Sequence, residues 1–137
     1  MVDVRQAPRG LIDTSVVVDL EHVSAEWLPL ELAVSAITMA ELAAGPHATR
    51  DSEERGRRQD RLQRAEATFD PLPFDGDAAR AYGRVYAAIV AAGRKARGAR
   101  AVDLLIAATA LAANLPLYTR NSADFAGLEG LLTIVTT

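Results

Sequence analysis

The 137-residue sequence contains no cysteine, no long apolar run and no excess of basic residues. The lack of cysteine excludes disulfides, thiol chemistry and cysteine-ligated zinc, and it suits the reducing cytoplasm. The first residues lack the basic start and apolar core of a signal peptide, and no run reaches the roughly 20 apolar residues of a membrane span. We therefore expect a cytoplasmic protein. The formal net charge of −3 excludes a uniformly basic nucleic-acid-binding surface.

Half of the residues are hydrophobic, and the chain is long enough to bury a real core. The length predicts a single domain over residues 1–137. Strands are predicted to end at Asp13 and to span residues 33–38, 115–119 and 132–135. Helices are predicted between them, at residues 16–20, 39–44, 50–68, 76–92 and 101–113. Strands that alternate with helices predict a three-layer α/β/α sandwich with a central parallel sheet.

Two of the predicted helices carry informative patterns. The helix after Asp75 has apolar side chains at i, i+3 and i+4 spacing, which predict a buried stripe of Ala78, Tyr82, Val85, Tyr86 and Ile89. The helix over residues 101–113 is apolar on nearly every side, which is typical of a helix inside a domain. Asp103 is its only ionisable residue, and Asn114 and Pro116 are expected to end it.

Four acidic residues follow or flank predicted strand ends. Asp13 ends the first strand, Glu41 lies in the helix after the second, Asp103 opens the central helix and Asp124 follows the next strand. Carboxylates crowded at one sheet edge repel one another and have raised pKa values unless a cation is present. Mg²⁺ and Mn²⁺ prefer oxygen ligands, lower the pKa of bound water and stabilise charge on a phosphate under attack.

Each acid also has a purely structural interpretation. Glu41 completes a capping box with Thr38, whose side chain is expected to cap the following helix. Asp103 in a first helical turn is favoured by the helix dipole, and Asp124 is able to cap a turn at residues 126–127. Asp13 is harder to explain structurally, because a charge that ends a core strand is costly without a partner. Thr14 and Ser15 are interpreted as N-cap residues of the helix that follows Asp13.

Four segments together resemble the signatures of PIN-domain ribonucleases, and most closely those of VapC toxins from type II toxin–antitoxin modules. The segments are residues 11–15 (LIDTS), 38–42 (TMAEL), 102–108 (VDLLIAA) and 119–125 (TRNSADF). The resemblance covers nearly the whole chain, and the four segments stand in the order found in the family.

The resemblance implies a PIN fold and an endoribonuclease that depends on Mg²⁺ or Mn²⁺. It implies that Asp13, Glu41, Asp103 and Asp124 form the catalytic, metal-binding site. Thr14, Ser15 and Asn121 match polar residues that hold a carboxylate, a metal-bound water or the substrate. The family also implies a homodimer, an RNA substrate, and a cognate antitoxin whose C-terminal segment wraps the toxin and blocks the site.

Two other functions fit parts of the sequence. One is a PIN-like module that binds nucleic acid or a partner with an inactivated site, but a decayed site should have lost at least one of its four acids. The other is a flap-type DNA nuclease, a class that carries more acids and extra helices for which this chain has no room.

An acidic protein needs local positive charge to hold RNA. Arg94, Lys95, Arg97 and Arg100 lie within seven residues with no acid between them, and Arg120 adjoins the loop of Asp124. We expect these five residues to contact RNA phosphates without reading bases. In the alternative interpretation, the basic segment serves the C-terminus of the preceding helix through its dipole. If these residues do not hold RNA, the arginines of residues 50–64 are the next candidates.

Large apolar residues are abundant in the first half of the chain. They predict an apolar groove for an antitoxin helix between residues 16 and 65, and the alternative is that they only form core. The residues concerned are Trp27, Leu28, Leu30, Leu32, Leu42 and Leu62.

Overall fold

The computed structural model describes residues 6–137, apart from the side chain of Ala99. Four parallel strands form one sheet in the order β2-β1-β3-β4. Their bounds are Arg9–Ile12 for β1, Glu31–Ala33 for β2, Leu117–Thr119 for β3 and Ile134–Thr136 for β4. Because all four strands run in one direction, their carboxyl ends meet at one edge of the sheet.

Five α-helices and four short 3₁₀-helices connect the strands. The α-helices are α1 (Thr14–Val18), α2 (Ala36–Ala44), α3 (Ser52–Thr68), α4 (Gly76–Ala91) and α5 (Ala99–Ala112). The 3₁₀-helices are Leu20–His22, Ala25–Trp27, Gly45–Ala48 and Ser122–Phe125. Within residues 6–137, no helix is both long and apolar enough to cross a membrane.

Alternating strand residues supply two separate cores. Leu11 and Leu117 face a cluster built with side chains of α4 and α5. Ile12 and Tyr118, the next residues along the same strands, face a cluster built with α1 and α3. Successive side chains of a strand point to opposite faces, so each strand contributes to both clusters. The predicted three-layer α/β/α arrangement is confirmed.

The predicted second strand over residues 33–38 is wrong except at Ala33, since the strand spans Glu31–Ala33. β2 ends at Ala33, and Ser35 begins α2 as its N-cap, with its hydroxyl accepting the N–H of Thr38 at 3.0 Å. The capping hydrogen bond outweighs the β propensity of Ile37 and Thr38, which lie inside the helix. As a result, Glu41 stands in the second turn of α2.

The apolar stripe of α4 is confirmed at Ala78, Val85 and Ile89, each at most 1% exposed. It is wrong at Tyr86, which is 47% exposed and pairs with Tyr82 at a ring-centroid distance of 6.2 Å. Ala81 is buried instead, and with Ala78, Val85 and Ile89 it keeps the three- and four-residue spacing of one helix face.

Asn114 and Gly93 end α5 and α4 in the same way. Asn114 has a φ of 55°, and the backbone N–H of the next residue, Leu115, donates to the Ala110 carbonyl at 3.0 Å. Gly93 has a φ of 73° and is followed by Arg94, whose backbone N–H donates to the Ile89 carbonyl at 3.0 Å. Both ends are Schellman motifs, in which a left-handed residue turns the chain sharply out of the helix.

Candidate active site

Asp13 follows β1 directly and is 5% exposed. Its Oδ1 atom accepts the backbone N–H of Val16 at 3.1 Å and the hydroxyl of Ser15 at 2.6 Å. Asp13 is therefore the N-cap of α1. The prediction that Thr14 and Ser15 cap this helix is wrong, because both lie in its first turn. The two hydrogen bonds also fix the Asp13 carboxylate at the carboxyl end of β1.

Glu41 accepts a hydrogen bond from the Thr14 hydroxyl at 2.5 Å. The same Thr14 oxygen lies 3.0 Å from Oγ1 of Thr38, which lies 3.3 Å from Oγ of Ser35. Thr38 and Ser35 are fully buried, so a row of three hydroxyls leads from the interior to the Glu41 carboxylate. The capping-box interpretation of Glu41 is wrong, since the Thr38 N–H is bonded to Ser35.

Asp103 is half-buried and lies in the second turn of α5. This helix begins two residues before the predicted start, at Ala99, and its first turn contains no acidic residue. The influence of the helix dipole is concentrated in the first turn. The dipole therefore gives a weak structural reason for an acid at this position.

Asp124 lies half-buried in the 3₁₀-helix Ser122–Phe125, which follows β3. Phe125 is fully buried and anchors this turn in the core next to α5. The interpretation of Asp124 as a turn cap is wrong. The N–H of Ala126 bonds to the Ala123 carbonyl at 3.3 Å, and the N–H of Gly127 bonds to Oε2 of Glu129 at 2.9 Å.

The four acids interact electrostatically. The pKa of Asp103 is raised from 3.8 to about 6, first by burial and then by the negative charges of Asp124, Asp13 and Glu41, in that order. The positive charge of Arg100 opposes this rise in pKa. The fold therefore brings together the four carboxylates that the sequence placed at strand and helix ends.

The donors present suit a hard divalent cation in their chemistry. All four are carboxylates, and their mutual repulsion is the kind that a bound cation relieves. Within residues 6–137, however, no three acidic or histidine side chains converge closely enough to hold an ion. Mg²⁺ usually keeps several waters and binds through one or two carboxylates, so this spacing is compatible with it.

The remaining polar residues of the site lie close to these acids. Ser15, besides its bond to Asp13, accepts the backbone N–H of Arg120 at 3.1 Å through its hydroxyl. It thereby ties the start of α1 to the loop after β3. Asn121 is exposed, and its backbone N–H donates to Oγ1 of Thr119 at 3.0 Å.

The five predicted phosphate-binding residues fall into two groups. Arg94 and Arg100 are half-buried and donate to backbone carbonyls of the turn that carries Asp124. Lys95 and Arg97 are exposed in the α4–α5 connector. Arg120 is exposed, with Nε 3.7 Å from Oδ2 of Asp19. Lys95, Arg97 and Arg120 are therefore accessible from solvent, whereas Arg94 and Arg100 are half-buried and donate to carbonyls of the chain itself.

An apolar groove exists between residues 16 and 69, but its lining differs from the prediction. Leu28 and Leu42 are buried core residues. The groove has a volume of about 430 Å³ and lies between α1 and α3, with Val17, Val18, Leu20, Ala65 and Phe69 among its lining residues. A second groove of about 330 Å³ shares Val18 and Arg61 with the first and reaches Thr14 and Glu41. Through these shared residues the first groove continues to Glu41, which is the one site acid that lines either groove.

Two features of the site were missed in the sequence. The hydroxyl row of Ser35 and Thr38 does not follow from a predicted strand over residues 33–38; the position of Ser35 three residues before Thr38 is the signal for it. The contacts of Arg94 and Arg100 join residues 24 to 32 positions apart in the chain, and local patterns carry no signal for such pairs.

Comparison with known proteins gives concordant matches over this chain. A PIN-domain family model matches residues 10–130. Ribonuclease VapC5 of Mycobacterium tuberculosis (strain ATCC 25618 / H37Rv) is 34% identical over 128 residues, which cover 91% of each protein. Ribonuclease VapC of Rickettsia bellii (strain RML369-C) is 34% identical over 120 residues, 84% of this chain and 87% of that protein.

A solved structure resembles the whole architecture. It is that of VapBC-5 from Mycobacterium tuberculosis, described as a member of the VapBC family of toxin–antitoxin systems. The match has a TM-score of 0.80 and 32% sequence identity, and it covers 95% of this chain and 99% of the other.

Proposed function

Because the chain belongs to the PIN-domain family, we propose that it is a Mg²⁺- or Mn²⁺-dependent endoribonuclease and the toxin of a toxin–antitoxin pair. The observation that carries this proposal is the electrostatic coupling of four carboxylates: the negative charges of Asp124, Asp13 and Glu41 raise the pKa of Asp103. The relatives named ribonuclease VapC and the likeness to a toxin–antitoxin complex support the activity and the biological role. The full set of acids argues against an inactivated binding module.

We assign the metal to Asp13, Asp103 and Asp124, which bind it directly or through water. Glu41, oriented by the Thr14 hydroxyl, holds a water or a second metal. Ser15 and Asn121 support the site from the ends of β1 and β3. When bound, the cation would lower the pKa of water and stabilise negative charge on the scissile phosphate. The described side chains hold the acids in place so that this chemistry occurs at one end of the sheet.

The proposed RNA contacts are phosphate contacts. Lys95, Arg97 and Arg120 are exposed and provide positive charge on an acidic protein. Such contacts hold the backbone without reading sequence. The sequence also predicts phosphate contacts for Arg94 and Arg100, but their side chains donate hydrogen bonds to carbonyls of the chain.

We further propose that the antitoxin occupies the two connected grooves. Its apolar side chains would pack on Val17, Val18 and Phe69, and its end would reach Thr14 and Glu41 through the second groove. This path leads from the first groove to Glu41, so an occupant would cover that carboxylate and hinder RNA from reaching the site. A single domain over residues 1–137, a homodimer and action in the cytoplasm complete the proposal.

Cleavage of RNA by wild type and Asp103→Asn tests the activity. We expect wild type to cleave single-stranded RNA when Mg²⁺ or Mn²⁺ is present. EDTA should abolish this cleavage, and adding the metal back should restore it. Asp103→Asn keeps the shape of the side chain but removes a ligand charge, and it should lose at least about 100-fold in rate. A variant that cleaves at the wild-type rate would refute the assignment of Asp103.

A further inference from the structure

Arg94 and Arg100 hold one short turn from two sides. Nη1 of Arg94 donates to the Ala123 carbonyl at 3.2 Å and to the Ala126 carbonyl at 2.9 Å. Nη1 of Arg100 donates to the Asp124 carbonyl at 3.3 Å. Three carbonyls of the segment that carries the Asp124 carboxylate therefore accept hydrogen bonds from charged guanidinium groups, which form stronger bonds than neutral donors.

The position of Arg94 is fixed by the end of α4. Gly93 adopts a φ of 73°, and the N–H groups of Gly93 and Arg94 close the helix on the carbonyls of Val90 and Ile89 at 2.9 and 3.0 Å. This Schellman motif turns the chain at a defined angle. The guanidinium of Arg94 is therefore presented to the turn by a rigid helix end.

The far end of the turn packs against the same helix end. Gly127 has a φ of 100°, and a Cβ atom there would lie 3.1 Å from Cβ of Ala92. The segment after Phe125 thus approaches the last residues of α4 closely at Gly127, just beyond the Ala126 carbonyl that Arg94 holds. Contacts with α4 and the buried Phe125 ring leave the turn few ways to move.

We infer that Arg94 is a positioning residue of the active site, which holds the turn of Asp124 so that this carboxylate meets the metal, and that it is not an RNA phosphate contact. The inference rests on the proposed metal-dependent ribonuclease activity. The inference gives the basic residues two roles. Arg94 positions the turn that carries Asp124, while the exposed Lys95 and Arg97 contact RNA phosphates. Both hydrogens of Arg94 Nη1 are directed to carbonyls of the chain.

The test compares Arg94→Ala with Arg94→Lys and with a charge-matched control, Arg84→Ala, on the exposed side of α4. Mn²⁺ affinity is measured by electron paramagnetic resonance without RNA, and kcat and KM by RNA cleavage. We expect Arg94→Ala to lower Mn²⁺ affinity and kcat about 10- to 100-fold, in the range of residues that orient metal ligands. KM should change little, Arg94→Lys should recover part of the loss, and Arg84→Ala should match wild type.

The salt dependence of RNA binding separates positioning from phosphate contact. It is measured on the Asp103→Asn background, where cleavage does not interfere. Replacing Lys95 and Arg97 together with Ala should make the slope of log affinity against log salt shallower by about 1.4, at about 0.7 per phosphate contact. Adding Arg94→Ala should leave that slope unchanged.

Two results would overturn the inference. One is an Arg94→Ala protein with wild-type Mn²⁺ affinity and kcat, even if its melting temperature falls. The other is a further loss of about 0.7 in salt slope on adding Arg94→Ala. Retained cleavage in Asp103→Asn would instead refute the proposed function, and absence of Mn²⁺ binding by wild type would refute both.

Discussion

At the scale of single residues, Asp103 is the strongest argument for the proposed site. Burial and three neighbouring carboxylates raise its pKa to about 6, so its charged form is unfavourable in the metal-free protein. Structural acids are more often stabilised by caps or ion pairs, as Asp13 is in part by the N–H of Val16. A carboxylate whose charged form is disfavoured by the fold indicates a functional site. A cation bound there would turn the unfavourable charge of that carboxylate into a favourable one.

The raised pKa predicts a pH-dependent stability of the metal-free protein. The folded protein holds the proton of Asp103 more tightly than the unfolded chain does. The contribution of Asp103 to the free energy of unfolding is therefore highest below the ordinary pKa of 3.8, and it falls as the pH rises through about 6. At 1.36 kcal/mol per pKa unit the loss is at most about 3 kcal/mol, and solvent screening of the half-buried side chain reduces it. Urea unfolding in EDTA at pH 4.5 and 7.5 measures the loss.

Asp103→Asn provides the control for this prediction, since the difference between the two proteins isolates one side chain. The variant should be more stable than wild type at pH 7.5 and should approach it at pH 4.5. Equal stability differences at both pH values would mean that Asp103 is not destabilised by its neighbours. Mn²⁺ affinity of the wild type should also fall below pH 6, because binding must then displace a proton.

At the scale of elements, the ends of helices determine where the acids and their supports stand. Gly93 and Gly83 both lie in or at the end of α4, yet they differ in conformation. A Cβ atom would meet nothing within 4 Å at either position. The difference lies in the backbone, because Gly93 has a φ of 73° and Gly83 does not have a positive φ. The same substitution should therefore have opposite effects at the two positions.

Gly93→Ala should lower the free energy of unfolding by about 1 kcal/mol, because alanine is strained in the left-handed region. It should also reduce Mn²⁺ affinity, since the strained end displaces Arg94. Gly83→Ala should raise stability by about 0.5–1 kcal/mol through helix propensity and leave Mn²⁺ affinity unchanged. Urea unfolding and Mn²⁺ titration of both variants measure this, and equal effects of the two would contradict the account of the α4 end.

The sequence predicted the elements well where a pattern is local. The apolar residues of α5, its stop at Asn114 and the cap at Asp75, whose side chain accepts the N–H of Ala78 at 3.0 Å, are all confirmed. One error arises where two local patterns disagree: β propensity favours a strand over residues 33–38, whereas Ser35 is the N-cap of α2. Tyr86 was assigned to the core by spacing alone, and the orientation of α4 on the sheet decided its exposure.

At the scale of the whole molecule, parallel strands explain why residues 111 positions apart in sequence lie at the same edge of the sheet. Asp13 follows β1 and Asp124 follows β3, and these strands pair directly. The resemblance of four short segments to PIN-domain ribonucleases predicted this assembly, and family membership is confirmed over residues 10–130. Contacts between distant side chains, such as Arg94 with the turn of Asp124, required the structure.

The connected grooves give a prediction about the partner. Val18 is 39% exposed and lines both grooves, so Val18→Glu should weaken antitoxin binding at least about 10-fold by placing a charge in an apolar contact. Val90→Glu is the control, because Val90 is 56% exposed on α4. Affinity for the cognate antitoxin is measured by calorimetry. Equal affinities of the two variants would place the antitoxin elsewhere.

The most direct test of the central claim is a Mn²⁺ titration of wild type and Asp103→Asn, followed by electron paramagnetic resonance, with RNA cleavage measured on the same samples. If the four carboxylates form one metal-dependent ribonuclease site, wild type binds Mn²⁺ and cleaves RNA over the same range of Mn²⁺ concentration. Asp103→Asn then loses both together while remaining folded. Cleavage by wild type without bound Mn²⁺ or Mg²⁺, or undiminished cleavage by Asp103→Asn, would contradict the account.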